Sequence, residues 1–329
     1  MKKRELGLDL LRCLALFLVF SYHFFLYNFY HEDPQTGVFM WLAGSYRSLS
    51  LCCIGIFLML TGYLKSEKTD FKACYRGILP VVAGYLSAAV ISIPLRHFIF
   101  GEKHSFLEWA IRLFNFNALY YGWYVPMYIG LVLLIPFLNR LISGLNNKQL
   151  LLLAVVVLLL TAVPGATKLS VFPDFWDSLY PLTYYILGAI VKRLQPKLKS
   201  WMGIAGALSM ALIMGAVTVL STNGPVSNGQ TWKFGDIWVV GMVLCLFVAL
   251  YRVQIRPGFG RILSFAAGGC YGGYLLSHLF DAWVYRLFPN WLFPQWYVPL
   301  FLCATVPAYI LSILLGVALE KVARFFEKR

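Results

Sequence analysis

Charge is scarce in this chain, and negative charge scarcest. Asp, Glu, Lys and Arg make up 13% of its 329 residues, against about a quarter in soluble domains, which excludes an ordinary water-soluble fold. Acidic residues number 14 against 28 basic ones, a formal charge of +14. That excess does not make a nucleic-acid binder. The basic residues fall in small groups between apolar runs, without a dense basic face, as topology signals do. The seven cysteines (13, 52, 53, 74, 245, 270 and 303) lie in or at the ends of apolar runs, and none forms a metal-ligand spacing. They read as small buried hydrophobes, and no metal is expected. There is no Gly-x-Ser-x-Gly motif, internal repeat or low-complexity tail. Met1 to Arg4 is like the basic start of a signal peptide, but no convincing small-residue cleavage site follows. A retained first helix is expected.

What the chain has in quantity is apolar sequence, 60% of residues, with 17% aromatic. Ten runs approach spanning length: 8–29, 48–64, 75–94, 122–138, 148–164, 179–192, 201–221, 235–251, 261–280 and 296–319. The sixth is short for a bilayer and the ninth is rich in glycine. The runs are too long and too continuously apolar for barrel strands. Open backbone is excluded from hydrocarbon, which leaves a helical bundle.

The loop charges support this count. Segments on the N-terminal side of the predicted membrane carry twenty basic residues: Lys2, Lys3, Arg4, Lys65, Lys68, Lys72, Arg76, Arg140, Lys148, Lys192, Arg193, Lys197, Lys199, Arg252, Arg256, Arg261, Lys321, Arg324, Lys328 and Arg329. The opposite side carries seven (Arg47, Arg96, Lys103, Arg112, Lys168, Lys233 and Arg286), and Arg12 lies within the first run. The alternation predicts an all-α polytopic bundle in the plasma membrane, of about ten spans, with both termini cytoplasmic. Residues 1–329 read as one membrane domain with no separate soluble domain. In the longest outer loop, 95–121, Phe106, Leu107, Trp109, Ala110, Leu113 and Phe114 recur at helical spacing. They predict an interfacial helix, either a lid over an outer site or a plain anchor. Residues 222–234 read as a turn-rich loop, and Trp283, Trp291 and Trp296 as an aromatic belt.

Three polar residues interrupt the first run: Asp9, Arg12 and His23. Ionisable groups inside a membrane run are costly to keep and are functional candidates for that reason. Asp9 and Arg12 are neighbours on one helical face. His23, eleven residues beyond Arg12, returns to within about 20° of that face and lies about 16 Å farther along it. The acid-base pair reads either as a functional group or as a structural pair snorkelling from a helix end. His23, beside Tyr22, Phe24 and Phe25, reads either as a proton-transfer group or as packing. Lys72 and Arg76, four apart, read either as anion ligands or as ordinary positive-inside residues.

Taken together, the motifs resemble the integral-membrane acyltransferase-3 family, whose members acylate sugars and cell-envelope components. Arg12 and His23 match its first-helix arginine, ten residues and histidine, and Asp9 matches the acid just before the arginine. Gly55 to Leu64 resembles its second-helix stretch, with Thr61 in place of the usual serine. Phe71 to Pro80 resembles its basic lead into the third helix, although Lys72 stands farther from Arg76 than the usual arginine pair. Trp123 to Tyr128 with Pro136, and Ser264 to Tyr271 with Tyr274 and His278, resemble its later motifs.

The resemblance implies acyl transfer from acetyl-CoA, or another acyl-CoA, on the cytoplasmic side to a hydroxyl of a sugar or envelope precursor. Arg12, Lys72 and Arg76 would hold the donor. His23 would be the general base, with Asp9 orienting or balancing Arg12. Trp123, Tyr124, Tyr271, Tyr274 and His278 would be acceptor contacts, and membrane lipid would surround the chain. The competing class is a transporter or flippase of an envelope precursor, which ten helices with buried charge and glycine-rich segments also suit.

Overall fold

The computed structural model describes residues 5–27, 29–163, 172–222, 224, 232–286 and 297–327, and among them every regular element is helical. Loop residues 223 and 225–231, the belt residues Trp291 and Trp296, and the basic residues Lys2, Lys3, Arg4, Lys168, Lys328 and Arg329 lie outside the described residues, as does the side chain of Trp283. Each of the ten apolar runs meets at least one helix. Six stretches among the described residues are long and apolar enough to cross a membrane: Leu6–Tyr27, Gly37–Lys65, Phe71–Phe98, Tyr124–Gly144, Ser200–Ser221 and Pro299–Lys321. Asn147–Thr161 and Ile237–Leu250 are shorter apolar helices. Leu79, Val90, Leu152 and Trp201 are exposed, the outward apolar face expected of a chain set in lipid.

Helix α1 (Leu6–Tyr27) has no glycine or proline after its first turn, and it buries Leu11, Leu16 and Phe20. It packs against much of the remaining bundle, so its polar residues face protein. Next come α2 (Gly37–Ser50) and α3 (Cys52–Lys65), separated only by Leu51, whose backbone is itself close to helical (φ −60°, ψ −17°). The second run thus starts at Gly37, well before the expected residue 48. Arg47 hid this by breaking the apolar pattern. The structure buries its guanidinium 5.7 Å from the Tyr22 ring and 5.8 Å from the Tyr30 ring.

The short α4 (Phe71–Tyr75) starts at an Asp70 cap that accepts from the Ala73 N–H at 2.8 Å, and leads into α5 (Ile78–Phe98). Helix α6 (Phe106–Phe114) opens on a Ser105–Glu108 capping box. It exposes Phe106, Leu107 and Phe114 while burying Trp109, the amphipathic pattern read from the sequence. Helices α7 (Tyr124–Gly144), α8 (Asn147–Thr161), α9 (Tyr180–Leu194), α10 (Ser200–Ser221) and α11 (Ile237–Leu250) follow.

The ninth run proves to be two helices, α12 (Pro257–Gly268) and α13 (Cys270–Arg286), divided at Gly269. Its glycines allow α13 to lie directly on α14 (Tyr297–Glu327): a Cβ on Gly316 would sit 2.1 Å from the Gly269 carbonyl oxygen. Helices α3 and α9 meet as closely. A Cβ on Gly62 would be 2.0 Å from the Tyr185 carbonyl oxygen, and one on Gly188 would be 2.1 Å from that of Met59. Small residues are what allow backbones to approach in this way inside a membrane bundle.

Gly62→Ala and Gly188→Ala should therefore each destabilise the protein by about 1–3 kcal/mol, the usual cost of overpacking. Gly130, with nothing within 4 Å of its Cβ position, should accept alanine with no loss, since alanine is the better helix former. Denaturant titration of the purified protein in micelles measures the difference. Equal stability of Gly188→Ala and Gly130→Ala would contradict the packing account.

Candidate active site

At one end of α1, Arg12 donates from Nη1 to Asp9 Oδ1 at 2.7 Å, and Ser264 of α12 donates to Asp9 Oδ2 at 3.0 Å. Asp9 is buried, while the Arg12 side chain keeps 31% of its surface exposed. The carboxylate thus anchors the guanidinium without lining the space that Arg12 reaches. That space is a cavity of about 350 Å³ whose wall includes Arg12, Thr61, Lys65, Tyr124, Tyr271 and Tyr274, with Glu320 also present. Three tyrosines of the wall are held through other contacts. Tyr271 donates to the Val81 carbonyl at 2.7 Å, and the Tyr124 and Tyr274 rings meet edge to face at 5.4 Å.

Lys72 and Arg76, on α4 and its cap, are exposed and are not part of the cavity wall. Of the expected acceptor contacts, Tyr124, Tyr271 and Tyr274 share the cavity of Arg12. Trp123 is 41% exposed and stacks 6.4 Å from Phe234, apart from that wall.

At the other end of α1, His23 Nδ1 lies 3.0 Å from Asp281 Oδ2, a contact that ties α1 to α13. Tyr121 donates its hydroxyl to the same carboxylate oxygen at 3.0 Å. Its ring also stacks on the imidazole, with centroids 3.8 Å apart and planes 16° apart. The hydroxyl of Tyr27 is 3.2 Å from that of Tyr121. Asp281 is wholly buried and His23 nearly so. With Asp281 accepting at Nδ1, the His23 ring is held in one orientation, and Nε2 is its remaining nitrogen for proton transfer.

His278, one helical turn before Asp281, belongs to the same cluster. Its ring is 3.8 Å from that of Tyr120 and 5.4 Å from that of Tyr121. Its Nδ1 is buried with no hydrogen-bond partner among the described residues. Beyond it, Arg96 grips Glu102, with Nη2 2.6 Å from Oε2, and lies over the Tyr120 ring at 4.2 Å. Tyr120 donates to Glu102 at 2.9 Å. Burial pushes the Glu102 carboxyl up, but hydrogen bonds from Arg96 and Tyr120 outweigh it and hold the group below the usual carboxylate range.

Asp281 was not singled out by the sequence analysis. The apolar pattern ends the ninth run at residue 280, which puts this acid just outside it. The signal was present in the spacing: His278 and Asp281 are three apart on one helix face, as Asp9 and Arg12 are on α1.

The two ends of α1 communicate through tyrosines. Tyr274 lines the Arg12 cavity, and its hydroxyl donates to the backbone carbonyl of Tyr121 at 2.8 Å. Tyr121 in turn lies against His23. A cation-lined cavity, a tyrosine wall and an oriented imidazole thus follow one another along the bundle. This arrangement can hold an anionic group at one end and move a proton at the other. No set of three or more His, Cys, Asp or Glu that could hold a metal ion occurs among the described residues.

No curated protein and no solved structure is significantly similar to the chain. A family model described as an acyltransferase domain, that of acyltransferase-3, matches residues 5–317. This match takes in both ends of α1, Asp281 and the cavity wall except Glu320. The chain belongs to the acyltransferase-3 family, and its role is that of a membrane acyltransferase.

Proposed function

We propose that this single membrane unit transfers an acyl group, acetyl in the simplest case, from acyl-coenzyme A to a hydroxyl of a sugar or other cell-envelope acceptor. The donor arrives from the cytoplasm at the Arg12 end. The bundle sits in the plasma membrane as ten spans with both termini cytoplasmic. The observation that carries this reading is the oriented His23–Asp281 pair, whose histidine lies on the same helix that brings Arg12 to a cavity.

Each residue has a task in that reaction. Arg12, braced by Asp9 and Ser264, grips a phosphate of the donor with its remaining donors. Lys72 and Arg76, exposed beyond the cavity, draw the polyanion in. The extended thioester arm then runs along α1 past Tyr124 and Tyr274, and the distance of about 16 Å between residues 12 and 23 suits such an arm. His23 Nε2 takes the proton of the acceptor hydroxyl as its oxygen bonds to the thioester carbonyl carbon. The carbon–sulfur bond breaks, and the imidazolium returns that proton to the departing thiolate. Imidazole is the side chain suited to both transfers near neutral pH. Asp281 keeps Nδ1 protonated and steadies the positive ring, as a buried carboxylate does for histidine in acyl-transfer triads. His278, Tyr120 and Tyr27 supply the aromatic surroundings in which a sugar ring can seat.

His23→Ala should lower turnover by about 10²–10⁴-fold at equal membrane abundance, the usual worth of general-base assistance, while leaving coenzyme A binding near normal. Near-normal turnover with an unchanged pH profile would reject His23 and turn attention to His278. Asp281→Asn should also cost about 10²–10⁴-fold, because the amide can favour the wrong imidazole tautomer. A variant with full turnover and an unaltered pH profile would remove Asp281 from the site. Arg12→Ala should weaken donor use severely, and Lys72→Ala or Arg76→Ala more mildly. Wild-type donor affinity in Arg12→Ala would return Arg12 to a structural role. A labelled acyl-coenzyme A assay also separates the chemistry from transport: an acyltransferase releases free coenzyme A with each acylated product, and a flippase releases none.

A further inference from the structure

Lys65 belonged, from its position, to the basic residues that mark the cytoplasmic side of the bundle. It occupies the last turn of α3, where a cation also complements the helix dipole. Neither role accounts for where its ammonium group goes. Lys65 shares the wall of the Arg12 cavity, with Nζ 5.3 Å from the ring centre of Tyr128, another wall residue. No carboxylate among the described residues forms an ion pair with it. Its backbone is fixed separately. Asn139 of α7 donates to the Lys65 and Lys68 carbonyls at 2.7 and 2.6 Å, and Tyr185 donates to Asn139 Oδ1 at 2.7 Å. The helix end is thus held without help from the lysine side chain.

Its place in the cavity wall gives Lys65 its role. Arg12 is balanced by Asp9, and Glu320 adds a carboxylate to the wall. Arg12 and Lys65 are the two cations of that wall, and Lys65 is the one not held by a carboxylate of the described residues. Lys65 also lies toward the approach. A Cβ on Gly77, in the turn between α4 and α5, would be 3.3 Å from its Nζ, so the ammonium sits between the cavity and the segment bearing Lys72 and Arg76.

We infer that Lys65 and Arg12 together form the seat for a phosphate group of the acyl donor, with Lys65 supplying the ammonium that no carboxylate of the described residues holds. This rests on the coenzyme A reading above and adds a residue that the family resemblance did not supply. An ammonium suits this task because it is a compact charge on a flexible stem, able to meet a phosphate beside the fixed fork of Arg12.

The test is equilibrium binding of acyl-free coenzyme A, and separately of phosphate-free pantetheine, to the full chain in lipid nanodiscs. Lys65→Ala should bind coenzyme A about 10–100-fold more weakly, in line with loss of a charge-assisted hydrogen bond. Lys65→Arg should stay within a few fold of wild type, and Lys148→Ala, an exposed cation on α8, should not change. Pantetheine should bind wild type and Lys65→Ala equally. Coenzyme A binding to Lys65→Ala at wild-type strength would overturn the assignment of Lys65 and leave the donor reading standing. An equal loss of pantetheine binding would also overturn it, by making the effect structural. Wild-type protein that bound no coenzyme A would bring down the donor reading and this inference together.

Discussion

The contact between His23 and Asp281 crosses 258 positions of sequence to join the first helix to the thirteenth inside an apolar bundle. A buried carboxylate without partners is far too costly to keep. Asp281 is therefore tolerable only where α1 presents an imidazole and the segment before α7 presents the Tyr121 hydroxyl. Those requirements constrain the bundle together: the rotation of α1, the depth of α13 and the placement of residues 115–123 all have to suit one carboxylate. Close glycine contacts make such placement feasible, since α13 can be set deep only because it lies directly on α14 at Gly269 and Gly316. The same logic governs the other end of α1, where Asp9 is acceptable because Arg12 and Ser264 satisfy its two oxygens.

The proposed function follows from having these two matched sites on one rigid rod. An α-helix fixes the spacing of residues 12 and 23 without any loop to flex, so on the proposed reading a donor held at one end would have its reactive end positioned at the other. Tyr274 touches both regions, as part of the cavity wall and as the hydrogen-bond donor that holds Tyr121. The outer shell of Arg96, Glu102 and Tyr120 closes the far side beneath the amphipathic α6, with Trp109 5.1 Å from the Arg96 guanidinium.

Much of this was legible in the sequence because helical periodicity is a local property. The stripe of Asp9, Arg12 and His23, the apolar runs and the amphipathic pattern of α6 depend only on neighbours within a few turns. What could not be read depended on distant partners or on boundaries. Asp281 lies one residue beyond the expected end of its run, and nothing near it in sequence announces His23. Arg47 broke the second run as a charge, yet two tyrosine rings cover it, one from α1 and one just beyond it. Lys65 was indistinguishable from any topology-marking lysine until α1, α3, α7, α13 and α14 were brought around one cavity. The family resemblance groups Tyr124, Tyr271 and Tyr274 with His278 as acceptor contacts, and only the packing divides them between the two ends of α1.

The central claim is that donor and acceptor are handled at opposite ends of α1, and sidedness tests it most directly. The protein is reconstituted in one orientation in sealed vesicles, and labelled acyl-coenzyme A is supplied to one face at a time with a membrane-impermeant acceptor on the other. The account predicts acylated acceptor only when the donor is on the Arg12 face and the acceptor on the His23 face. Product formed equally well with the donor confined to the His23 face would contradict it.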